Sequence, residues 1–270
     1  MCIRDRDGVK EAHDRYRVHP DGRGSWEEAW RGLQNVRLYI DSNPPIRLTY
    51  TPKTVKYLYE SVKFLLKHGL TRIAAEPVYE VEWTLDDLIE LKNQLVKISE
   101  LAFHVLRRGT RFDFKPIRDA ISPYLTPFGR NPPEQKPDRC GLATAGIAVD
   151  YDGTIYPCHR FVSIHDPESE VAIGDVFNGI NEEKRRNWIT KWKLRRLTSS
   201  NPKLCINCPF KSACIGGCLA VNYDLYGDIN TVPEWFCKIH RIYLEVFTPL
   251  YLTMKAEGNK AFQEVYLRRR

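Results

Sequence analysis

Seven of the eight cysteines of this 270-residue chain fall in its second half in one fixed pattern. It reads C-x12-G-x4-C at Cys140, Gly153 and Cys158, then after 46 residues C-x2-C-x5-C-x3-C at Cys205, Cys208, Cys214 and Cys218, and after 18 more Cys237. Thiolates a few residues apart in a loop converge on one metal centre, and an all-cysteine donor set suits zinc or an iron-sulfur cluster. Two structural zinc sites would ordinarily take eight ligands, and no histidine stands at finger spacing from the C-x2-C, although His240 lies three residues past Cys237. A cluster tolerates a vacant or non-cysteine fourth position more readily, so the spacing favours iron over zinc without excluding zinc. Cys2 stands outside the pattern.

Disulfides are the other use of so many thiols. The first 30 residues hold no signal-peptide core, and no apolar run approaches the about 18 residues of a membrane span. A cytoplasmic chain is therefore expected, and reducing conditions there disfavour disulfides. The formal charge of +7 overstates the true one, because metal-bound thiols are deprotonated. Lys and Arg are interspersed with Asp and Glu along the presumed helix faces, so neither a nucleic-acid nor a membrane partner is expected.

The first half alternates in periodicity. Ser25 with Glu28 reads as a capping box opening a helix to about Ile40, with Trp26, Ala29, Trp30, Leu33, Val36 and Ile40 on one face. Ile46, Leu48 and Tyr50 alternate as a strand. Thr51-Pro52 then starts a helix through Val55, Leu58, Val62, Leu65 and Leu66 that Gly69 ends. Arg72 to Val78 reads as a second strand, and Thr84 with Asp87 opens a third helix running to Gly109. Strand, crossover helix and strand predict a right-handed parallel βαβ unit. A parallel sheet needs more strands than these two, so the chain reads as truncated at its front. Residues 1–6, MCIRDR, fit no strand and are expected to be a non-native leader.

The stretch 126–139 is rich in Pro and polar residues, a linker between two modules. Beyond it a hairpin is predicted around Asp152-Gly153, a helix from Asn181 to Leu197, and a last helix from about Glu234 to Ala256. Gly22 and Gly24 lack the context of a phosphate loop and read as a turn, and Arg268, Arg269 and Arg270 read as a solvated tail.

The run CGLATAGIAVDYDGTIYPCHRF, then CINCPFKSACIGGC, then Cys237, resembles the SPASM domain, the auxiliary-cluster module at the C-terminal end of many radical S-adenosylmethionine enzymes. The segment DGVKEAHDRYRVHPDGRGSWEEAWRGLQ more loosely resembles the region after the fourth barrel strand of the same enzymes. The resemblance implies an α/β chain, the rear half of a partial (β/α) barrel over 7–125, then a small loop-rich α+β SPASM domain over 140–245 and a C-terminal helix and basic tail over 246–270. It implies that Cys140, Cys158 and Cys218 hold an inner auxiliary [4Fe-4S] cluster, and that Cys205, Cys208, Cys214 and Cys237 hold an outer one. A peptide or protein substrate and a reductant such as a flavodoxin or ferredoxin follow from it as partners.

Two departures qualify the expected activity. The C-x3-C-x2-C motif that binds the radical-generating cluster is nowhere in the sequence, so S-adenosylmethionine and a third [4Fe-4S] cluster are expected only in a longer protein. Sulfatase-maturing members carry a catalytic Asp directly after the G-x4-C cysteine. Here that place is His159, which argues against sulfatase maturation and makes His159 the candidate base. Asp7, Thr49 and Glu76 lie at or near predicted C-terminal strand ends, where sites of α/β barrels form, and are candidates to face cofactor.

Overall fold

The computed structural model describes residues 7–125, 140–144, 146–164, 166–194, 205, 207–208, 214 and 216–267. The predicted linker, the leader, Cys2 and the arginine tail lie outside the described residues. In chain order the elements are α1 Lys10–His13, α2 Trp26–Tyr39, β1 Ile46–Tyr50, α3 Leu58–Lys67, β2 Arg72–Pro77, α4 Leu85–Arg107, β3 Asp113–Phe114 and α5 Lys115–Leu125. There follow β4 Ala148–Val149, β5 Thr154–Tyr156, β6 Gly174–Asp175, β7 Gly179–Ile180, α6 Glu182–Leu194, α7 Leu219–Tyr226, α8 Glu234–Ala256 and α9 Lys260–Phe262. The chain divides into two compact units, residues 1–125 with 237–270, and residues 126–236.

In the first unit β1, β2 and β3 form a parallel sheet in that order, with Leu48 opposite Ala75 and Thr49 opposite Glu76. Period-two alternation decides its faces. Ile46, Leu48, Tyr50, Ile73 and Ala75 are buried on one, and Arg47, Thr49, Ala74 and Glu76 are left partly open on the other. Right-handed crossovers place α3 and α4 on one and the same face of the sheet. Val62 and Leu65 of α3, with Leu91, Leu95, Ile98 and Ala102 of α4, are 0% exposed, so the apolar stripes read from the sequence bury a proper core. The helix α8 returns to this unit through Tyr243 and Phe247, and Lys92 pairs with Glu245 at 2.5 Å.

Capping divides the two predicted boxes. At α4 the box forms as expected: Asp87 donates its backbone N–H to Thr84 Oγ1, and Thr84 donates its own to Asp87 Oδ2. Thr84→Ala is expected to cost about 1 kcal/mol, read as a lower denaturant midpoint with unchanged slope. At α2 the box does not form. Glu28 pairs with Arg23 at 2.7 Å, Ser25 donates its hydroxyl to the Arg17 carbonyl, and Asp14 Oδ1 takes the Trp26 N–H at 2.9 Å instead. A cap twelve residues away in sequence replaces the local one.

The second unit holds a four-stranded antiparallel sheet in the order β4-β5-β6-β7. The predicted hairpin forms between β4 and β5, with Val149 opposite Ile155. Gly153 sits at φ +93°, and a β-carbon there would lie 2.8 Å from Val176, so the turn takes only glycine without strain. Below the sheet Phe161, Trp188 and Tyr223 meet with ring centroids 5.3–5.9 Å apart, joined by Leu142, Ile155, Val171, Ile173 and Leu219.

Candidate metal centre

Two of the cysteines stand where a strand ends or a helix begins, and Cys237 lies in the first turn of α8. Cys158 follows β5 and opens a short 3-10 helix, His159–Ile164, through the Phe161 N–H to the Cys158 carbonyl at 3.1 Å. Cys218 is the N-cap residue of α7, and its carbonyl accepts from Asn222 at 2.9 Å. The segment after Cys140 is tied to the approach to Cys158 by the Ala143 N–H, which donates to the Pro157 carbonyl at 2.9 Å. Cys205 and Cys208 share one turn, with the Cys208 N–H on the Cys205 carbonyl.

The electrostatics suit thiolates that hold a cation. Burial pushes the Cys158 thiol up, and the neighbouring Cys218 adds to the shift. A sulfur placed like that of Cys158 is held as a thiolate when a positive centre neutralises it. Backbone N–H groups already point at sulfur: Arg160 donates to Cys158 Sγ at 3.4 Å and Gly216 to Cys214 Sγ at 3.1 Å. Such N–H···S bonds accompany iron-sulfur ligation and tune its potential. Cys158 and Cys218 both pack against the apolar core of the second unit. The donor set therefore fits a thiolate-bound metal, while among the described residues no three His, Cys, Asp or Glu side chains are gathered closely enough to grip a single ion.

His159 is exposed, with Nδ1 3.8 Å from the Cys158 sulfur. Asp7, Thr49 and Glu76 belong to the first unit and are brought into one row. Asp7 Oδ1 accepts from the Thr49 N–H at 2.8 Å and Oδ2 from Arg17 Nε, so this carboxylate braces the end of β1. Thr49 and Glu76 are cross-strand neighbours on the partly open face. Glu76 lies 3.1 Å from Lys115 Nζ, which also pairs with Asp119 at 2.5 Å. Burial works against the Lys115 ammonium, but the two carboxylates outweigh it and hold its pKa above the ordinary value.

Sequence patterning missed a polar group where α8 meets the sheet. Tyr79 and His240 approach at 3.3 Å through Oη and Nε2, and the hydroxyls of Tyr50 and Tyr243 meet at 2.5 Å. Burial pushes His240 down to about 4, with Asp119 raising it and Lys115 lowering it by lesser amounts. The folded chain thus keeps this imidazole neutral, whereas the unfolded chain protonates it below about pH 6.5. Its contribution is complete above pH 6.5 and is lost as pH falls from there to about 4. His240→Gln is expected to flatten that loss, measured as the change in urea midpoint between about pH 7 and about pH 5.

Solved structures share this fold. The fold is that of anSMEcpe. The structure of hexahistidine-tagged anSMEcpe with bound AdoMet superposes with a TM-score of 0.68 at 17% identity, over 94% of this chain and 65% of that one. Native anSMEcpe with bound AdoMet and Cp18Cys peptide matches with a TM-score of 0.66 at 16% identity, over 94% and 69%. In sequence, the cysteine-type anaerobic sulfatase-maturating enzyme of Clostridium novyi (strain NT) is 22% identical over 247 residues, covering 88% of this chain and 62% of the relative. This chain therefore spans about three fifths of that relative's length. No family model matches. Among the described residues no helix is long and apolar enough to cross a membrane.

Proposed function

We propose that this chain supplies the auxiliary-cluster portion of a radical S-adenosylmethionine maturase that modifies a side chain of a peptide or protein. The observation that carries this reading is a coincidence of two independent facts. The chain lies on the anSMEcpe fold over 94% of its length at only 17% identity, and its seven late cysteines keep the spacing of an auxiliary-cluster module. Cys140, Cys158 and Cys218 are the proposed ligands of one [4Fe-4S] cluster, and Cys205, Cys208, Cys214 and Cys237 those of the other. The clusters would supply one-electron chemistry or an anchoring iron. The partly open sheet face carrying Thr49 and Glu76, braced by Asp7, is the proposed cofactor-facing surface. His159, exposed beside Cys158, is the proposed proton acceptor.

The sequence lacks C-x3-C-x2-C, so the chain by itself is expected to take up iron and accept electrons from reduced flavodoxin or ferredoxin without cleaving S-adenosylmethionine. Electron paramagnetic resonance of the dithionite-reduced, anaerobically reconstituted chain tests this. Two cluster signals with no 5′-deoxyadenosine formed support the proposal, and a silent, zinc-loaded protein overturns it. The same missing motif favours a second reading, a non-catalytic iron-sulfur or zinc module for electron transfer or partner binding. Iron together with peptide-dependent changes in the cluster signals favours the first reading, and zinc the second.

A further inference from the structure

Asn222 is 0% exposed on α7, four residues after Cys218, and no motif singles it out. Its Nδ2 donates to two backbone carbonyls, Gly216 at 3.0 Å and Ile229 at 3.0 Å. Two acceptors on one side fix which end of the amide faces them. Among the described residues its Oδ1 is buried with no hydrogen-bond partner, a state that costs free energy and so needs a reason. Gly217 explains how that oxygen is housed. It sits at φ +78°, and a β-carbon there would stand 3.0 Å from Oδ1, so glycine leaves the space that the amide occupies. The Gly216 whose carbonyl Asn222 holds is the same residue whose N–H points at Cys214 Sγ from 3.1 Å.

We infer that Asn222 is a positioning residue for Cys214: by holding the Gly216 carbonyl it aims the Gly216 N–H at the Cys214 sulfur. This rests on the proposed cluster ligation. A hydrogen bond to sulfur stabilises the more negative, reduced cluster, so losing it lowers the reduction potential. Asn222→Asp keeps the shape but turns an acceptor oxygen towards two carbonyls, which breaks the staple.

The test is a redox titration, followed by electron paramagnetic resonance, of the full chain reconstituted without oxygen. In Asn222→Asp the cluster bearing Cys214 is expected to become harder to reduce by about tenfold, about 59 mV for one electron, with the other cluster unmoved. Trp188→Phe removes another buried N–H donor of the same unit, the 3.0 Å bond to the Glu170 carbonyl, and is expected to leave both potentials in place. If Asn222→Asp does not fold, Gly217→Ala presses on the same Oδ1 while keeping the amide, and the same cluster is expected to shift. Wild-type potentials in an iron-loaded variant, or equal shifts of both clusters in Asn222→Asp and Trp188→Phe alike, overturn the inference and leave the cluster proposal standing. A wild-type chain that takes up no iron removes the cluster proposal itself.

Discussion

Cys158→Ala yields, after anaerobic reconstitution, protein holding about four iron atoms per chain in place of about eight. The expectation follows from the place of this thiol. Cys158 follows β5, opens the next helix, and shares the core of the second unit with Cys218, and no other cysteine stands on that turn to replace it. Arg160 donates its N–H to that sulfur at 3.4 Å, and the bond loses its acceptor with the substitution. The thiol is neutral at neutral pH in both the folded and the unfolded apo chain, so its raised pKa adds nothing to apo stability there, and alanine is expected to cost the apo chain only the packing of one half-buried sulfur. Iron analysis with a denaturation curve separates the two effects. An unchanged iron content would remove Cys158 from the ligand set.

Phe161→Ala is expected to have the largest effect on folding. The ring is 0% exposed, 5.3 Å from Trp188 and 5.9 Å from Tyr223, in a core shared with Cys158 and Cys218. Truncating a buried phenylalanine costs about 3–5 kcal/mol, against about 5–15 kcal/mol for the whole stability of a typical domain. A unit with so small a core has little in reserve. The variant is expected to lose the unfolding transition of residues 126–236 and iron uptake together, while residues of the first unit keep theirs. Calorimetry with iron analysis checks it. Wild-type iron content in a variant with that transition lost would show that the cysteines assemble their metal without this core.

What the sequence disclosed and what it withheld divide along one physical line. Elements whose stabilising partners lie within a few residues were legible: β1 by alternation, α4 by the Thr84 and Asp87 box, the hairpin by Asp152-Gly153, and α8 by its long apolar stripe. Features made by distant partners were not. Ser25 looked like the cap of α2, but Arg23 claims Glu28 and the real cap is Asp14, which only the folded turn between them brings near. The two-residue strands β3, β6 and β7 are too short to show a period and exist because a longer neighbour pairs with them or a glycine turn returns them. The α7 helix opens directly behind Cys218 and was hidden by the loop-like Gly216-Gly217 before it.

The candidate site follows the same rule. Cysteine spacing points to the proposed metal chemistry because the candidate ligands would carry it in their side chains, whatever the backbone does. The residues that reach the candidate ligands do so through backbone groups, as Asn222 does through Gly216 and Arg160 through its own N–H, and leave no pattern in the sequence. Asp7 shows the converse. It was singled out by its position at a strand end, and its carboxylate spends both oxygens on Arg17 and the Thr49 N–H.

The central claim is that seven thiolates of this chain hold two iron-sulfur clusters. Mössbauer spectroscopy with elemental analysis on anaerobically reconstituted wild-type protein tests it most directly. About eight iron atoms per chain, in the quadrupole doublets of [4Fe-4S] centres, is the predicted result. Stoichiometric zinc with no iron, or no metal and seven freely titrating thiols, would contradict it.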